Sequence, residues 1–170
     1  MNRIKSFSDA ELKIRRRVRA YILFFIIATV ISGITTFPLE TELAFFVDHL
    51  SGVPSFLRDW FVRAYEGFKE TNARHPFISY GIDWLAWAHL VIAVLFIGPL
   101  KDPVRNIWVI QWGIICCLLV FPLALIAGHI REVPLYWRLI DCAFGAFGLI
   151  PLFLCLHDIR KLETLENQRT

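Results

Sequence analysis

Four stretches of the chain are apolar almost without interruption: 20–38, 80–100, 107–130 and 136–156. Each approaches or exceeds the roughly 20 residues a helix needs to cross a hydrocarbon layer about 30 Å thick. The segment 39–79 has a different pattern. After Pro54, the residues Leu57, Trp60, Phe61, Ala64 and Phe68 recur at helical spacing, while Arg58, Asp59, Arg63, Glu66 and Lys69 fall largely on other faces. Leu43, Phe46, Val47 and Leu50 predict a shorter helix of the same character, and Ser51-Gly52-Val53-Pro54 separates the two. Amphipathic helices of this kind lie in a membrane interface or pack over the mouth of a bundle. The pattern therefore predicts an all-α membrane protein. It would be a four-transmembrane-helix bundle forming one integral membrane domain over 1–170, with amphipathic interfacial helices in the first external loop, 39–79.

Local signals sharpen the boundaries. Ser8-Asp9-Ala10-Glu11 has the form of a capping box, so a helix is expected to start there and run without a breaker to about Thr36. A basic tail ahead of an apolar block also resembles a signal peptide, with Ser32-Gly33 as the cut site, but the block is longer than a signal core and reads as a retained span. Gly98-Pro99 and Lys101-Asp102-Pro103 end the second span. Pro122 is expected to kink the third, and Pro151 the fourth. Gly145, Ala146 and Gly148 make one stretch of the fourth helix thin, which suits close approach of a neighbour. Tyr80, Trp84 and Trp87 at one end of the second span, and Trp108 and Trp112 at the start of the third, fit aromatic belts.

Charge adds a direction. Lys13, Arg15, Arg16, Arg17 and Arg19 precede the first span, and Arg160-Lys161 follow the last; the 39–79 loop carries Glu40, Glu42, Asp48, Asp59, Glu66 and Glu70 against fewer bases. Lys and Arg mark the cytoplasmic side, so both termini are expected inside and the loop outside, in a multi-pass protein of the cell inner (plasma) membrane. The net charge of +3 would point to nucleic acid in another setting. Here the bases sit beside the spans, and the expected partners are membrane lipids, other membrane subunits or a second copy of the chain.

Ionisable groups inside a bilayer are costly, so the few present are the candidates for chemistry. Counted along the spans, Asp83 and Asp141 lie about 9 Å to the outer side of the midplane, with His129 at the outer rim. Together they would suit proton transfer or metal ligation. The plainer alternative pairs Asp141 with Arg138 three residues before it, and Asp83 with Arg74 or Arg131. Arg131 and Glu132 at the end of the third span are candidates for contact with an anionic headgroup or ligand, and Trp84, Trp87 and His89 for lining a ligand site. His89 falls near the middle of the second span, where even a neutral imidazole needs a hydrogen-bond partner. Haem held by two histidines is disfavoured, because His89 and His129 are offset by about 15 Å along the bundle axis. The cysteines, Cys116, Cys117, Cys142 and Cys155, fall inside spans without zinc or redox spacing and read as small apolar packers, so no metal site is expected.

No hydrolase, metalloprotease or phosphate-loop motif occurs. Two readings of function follow. The first is a non-enzymatic component of a membrane assembly, or a lipid-binding protein. The second is a membrane-embedded enzyme or small-molecule or metal binder in the outer half of the bundle, built on Asp83, Asp141 and His129.

Overall fold

The computed structural model describes residues 9–168. No strand occurs among them: the chain runs through α1 (Asp9–Thr36), α2 (Leu39–His49), α3 (Ser55–Arg74), α4 (Pro76–Leu95), α5 (Ile97–Lys101), α6 (Ile107–Pro122), a π-helical segment (Leu123–Ala127), α7 (Gly128–Ile130) and α8 (Leu135–Asn167). Four helical stretches are long and apolar enough to cross a membrane: α1, Pro76–Lys101, Ile107–Ile130 and α8. The helix expected from the capping box begins at Asp9, while Ser8 itself lies outside the described residues.

Breakers act where the sequence places them. Gly52 adopts φ +87° between α2 and α3, a left-handed conformation open to a residue without Cβ. Pro54, Pro76 and Pro134 stand at the starts of α3, α4 and α8, where a missing N–H costs nothing. Between α5 and α6, Asp102 Oδ1 accepts the Arg105 N–H at 3.1 Å, and the Asn106 side-chain amide donates to the carbonyls of Asp102 (2.9 Å) and Gly98 (3.2 Å). These bonds occupy backbone groups that the helix ends leave open. After Pro122, which cannot donate to the preceding turn, the helix widens into its π segment before regaining α geometry.

The chain divides into two units, Met1–Ile27 with Val94–Thr170, and Ala28–Ala93. In the first, the core runs through Val18, Ile22, Phe96, Val109, Ile110, Leu152, Cys155, Ile159 and Leu162, all buried. The Phe25 and Phe96 rings meet at 4.5 Å between centroids. Glycines set the spacing of α6 and α8. A Cβ on Gly145 would stand 2.8 Å from the Cys117 carbonyl oxygen, and one on Gly148 2.9 Å from the Cys117 Sγ. Gly113 accommodates the tip of Phe96 and the Leu152 side chain in the same way. The thin stretch of the fourth helix is therefore a packing surface, and its contact is the turn of α6 around Cys117.

Both long terminal helices extend beyond their apolar blocks. At 33 residues, α8 is about 50 Å long, far more than the hydrocarbon layer requires. Its last turns lie against the first turns of α1: Arg17 Nη2 reaches Asp158 Oδ1 at 3.1 Å, and Arg15 pairs with Glu166. Glu11 and Asp158 are both buried in this region.

In the second unit, Gly33 of α1 lies against α4, where a Cβ would meet the Ala86 carbonyl oxygen at 2.9 Å and the His89 Cβ at 3.1 Å. Helices α2 and α3 form a hairpin closed by the Phe46 and Phe61 rings, 5.6 Å apart. Asn72 of α3 donates to Glu40 of α2 at 2.7 Å and accepts from the Ser79 hydroxyl of α4 at 3.0 Å. One side-chain amide thus joins three helices.

Candidate functional site

The candidate residues fall in both units, and each group stands on its own geometry. In Ala28–Ala93, residues 80, 83, 84 and 87 share one face of α4 by helical spacing. With Phe37, which follows α1, the side chains of Tyr80, Asp83, Trp84 and Trp87 line an open groove of about 290 Å³. The Tyr80 and Trp84 rings are edge-to-face at 6.0 Å. Asp83 is exposed and has no ion-pair or hydrogen-bond partner among the described residues. Arg74, one of the partners expected for it, instead pairs with Glu70 at 3.1 Å, one turn back on α3.

His89 lies on α4, half-buried, with Nδ1 2.7 Å from the Leu85 carbonyl oxygen. A carbonyl only accepts, so Nδ1 carries a proton and donates. The polar partner that an apolar span demands is thus supplied by the histidine's own helix. Gly33 packs against its Cβ and limits the space at its base.

In the other unit, the π segment and the turn after it position the remaining candidates. Val133 N–H donates to Gly128 O at 2.8 Å and Glu132 N–H to His129 O at 3.1 Å; Glu132 takes φ 57° to close this turn. His129 and Arg131 are exposed on it. Arg138 follows on α8, and its stem lies against Gly128, where an added Cβ would come within 2.7 Å of Cδ. Its Nη1 donates to Leu125 O at 3.3 Å. The arginine thus serves the loosened backbone of the π segment, and the expected i,i+3 pair with Asp141 is not formed. Asp141 is half-buried and has no ion-pair or hydrogen-bond partner among the described residues.

Cys117, Cys142 and Cys155 are buried and Cys116 half-buried, all as free thiols. Among the described residues, no three His, Cys, Asp or Glu side chains gather in a way that could hold a metal ion.

Sequence reasoning missed the pairing of α1 with α8. Its one sequence signal is complementary charge: Lys13, Arg15, Arg16, Arg17 and Arg19 shortly before the first span, and Asp158, Glu163 and Glu166 after the last. No known protein family, curated protein or solved structure matches the chain.

Proposed function

We propose that the chain is a four-span protein of the inner (plasma) membrane, with both termini cytoplasmic. In this reading it acts without chemistry of its own, as a component of a membrane assembly or as a lipid-binding protein. The observation that carries this reading is the uneven covering of its apolar helices. In the most apolar windows of Ile107–Ile130 and α8, 28% of residues are buried, against 17% in α1 and in Pro76–Lys101. Large apolar side chains such as Phe24, Ile27, Ile31 and Val91 are left uncovered. Such a surface is compatible with lipid tails or with apolar helices of another protein, and a stretch of this size is not left to water. The pairs Arg15–Glu166 and Arg17–Asp158 support placing both ends on one face of the membrane. The basic cluster before the first span makes that face the cytoplasmic one. Helices α2 and α3 then lie at the outer interface, with the apolar stripes predicted for them toward the membrane.

Purification in mild detergent with native mass spectrometry tests the reading. The expected result is a chain that carries other membrane subunits, a second copy of itself or bound lipid. A bare monomer would refute it. Retention of a small molecule that Asp141→Asn releases would favour a binding site or enzyme in the outer half instead, built on a half-buried carboxylate that lacks a partner among the described residues.

A further inference from the structure

We infer that the groove on α4 binds the ammonium group of a phospholipid headgroup, with Asp83 as its counter-charge and the surrounding aromatic rings as its walls. The inference deepens the lipid-binding reading above and rests on it.

Depth is the first ground. Asp83 is the fourth residue of the apolar stretch 80–100, whose length is about that of a hydrocarbon layer about 30 Å thick. The carboxylate therefore belongs near one edge of the layer, close to the level where headgroups begin. Tyr80, Trp84 and Trp87 flank it, and these are the residue types that collect at that level.

Charge is the second. A carboxylate at the border of the hydrocarbon is unfavourable unless a cation or hydrogen-bond donors meet it. None does within the described chain: Arg74 is taken by Glu70, and Lys69 stands over the Tyr65 ring at 5.4 Å. The site thus has an acceptor without a donor. A phospholipid ammonium supplies the charge, and a primary ammonium such as that of phosphatidylethanolamine supplies N–H groups as well.

The walls are the third. Aromatic faces attract cations, and a carboxylate set among aromatic rings is an arrangement that holds alkylammonium groups. The groove volume of about 290 Å³ sits at the lower end of the range for small-ligand pockets, which suits a headgroup rather than a whole amphiphile. Along the same face of α4, beyond Trp87, Val91 is also exposed and offers an apolar lane for the attached chains. The Glu40–Asn72–Ser79 hydrogen bonds tie the first turn of α4, just before Tyr80, to α2 and α3.

The test uses the full chain in nanodiscs of mixed phosphatidylethanolamine, phosphatidylcholine and phosphatidylglycerol, with retained lipid read by native mass spectrometry. Wild type is expected to retain the ammonium-bearing lipids over phosphatidylglycerol by about tenfold. Asp83→Asn keeps the shape and removes the charge, and should bring the ratio close to one; Trp84→Leu should reduce it by a smaller factor. Asp83 and Trp84 are exposed, so neither change disturbs a core. Retention that ignores the headgroup, or a preference that survives Asp83→Asn, overturns the inference while leaving general lipid binding intact. So does a dimer that Asp83→Asn dissociates, because a cation of the second copy then fills the groove. A chain that retains no lipid at all sinks the lipid-binding reading itself.

Discussion

Gly145 offers the sharpest test of how the third and fourth spans are held. Replacing it by alanine puts a methyl group 2.8 Å from the Cys117 carbonyl oxygen, 3.2 Å from the Val120 Cβ and 3.4 Å from the Phe121 ring. Ordinary carbon-to-oxygen contacts lie near 3.3–3.6 Å, so α6 and α8 must separate by about half an ångström or more. The obstacle is helix backbone, which cannot swing aside as a side chain does. A gap of that size forfeits a quarter or more of each dispersion contact across the interface, and overpacking of this kind costs about 1–3 kcal/mol. Against this stands the gain from removing a helical glycine, about 1 kcal/mol at most. Gly81 isolates that gain, because it lies in another apolar helix and a Cβ there meets nothing within 4 Å. The assay is reversible unfolding in mixed micelles, followed by circular dichroism. Gly81→Ala should be neutral or stabilising, with Gly145→Ala less stable than it by about 1–3 kcal/mol. Gly148→Ala should fall between them, since the atom it meets is the movable Sγ of Cys117. If Gly145→Ala and Gly81→Ala shift stability equally, the close crossing at Cys117 is refuted.

Arg17→Ala leaves the Asp158 carboxylate buried without its cation, and should cost about 1–3 kcal/mol, moderated by the exposure of Arg17. Replacing both partners with apolar residues, Arg17→Met with Asp158→Leu, should recover most of the loss in the same unfolding assay; failure to recover would show that the carboxylate serves something other than this pair. Arg138→Met keeps the stem that packs on Gly128 and removes one hydrogen bond to Leu125 O, for a loss of about 1 kcal/mol or less. A loss several times larger in thermal melts would mean that the guanidinium holds a charge as well as a carbonyl.

The apolar blocks were legible because length and composition alone decide whether a helix can span a bilayer, and four such helices are present. So were the helical hairpin of α2 and α3, written in aromatic spacing and closed by Gly52 and Pro54, and the thin face of the fourth helix at Gly145 and Gly148. What stayed hidden depends on partners distant in sequence or on backbone that leaves regular geometry. Arg17 and Asp158 lie far apart along the chain, and no local pattern links them. Arg138 had an acid three residues away, yet it bonds to Leu125 O, an acceptor placed within its reach by the π segment after Pro122. A sequence shows the proline but not which side chain will answer the backbone it disturbs. Likewise, helical spacing puts Tyr80, Asp83, Trp84 and Trp87 on one face, but no local pattern shows that Phe37, distant in sequence, joins them.

These details share one physical logic. In lipid, the apolar surfaces of helices gain little from meeting one another, because the tails solvate them equally well. Cohesion inside the apolar layer must come from contacts closer than lipid can make, and Gly33 against Ala86 and Gly145 against Cys117 are of that kind. Beyond the apolar blocks water competes for every charge, and an exposed pair contributes little there; the Arg17–Asp158 contact escapes that weakness because its carboxylate is buried. Asp83 fits neither scheme. It is exposed, with aromatic rings around it and no cation of its own among the described residues, so packing within them gives it no role. A binding role for Asp83 rests on that contrast with Asp158, whose carboxylate is engaged by Arg17.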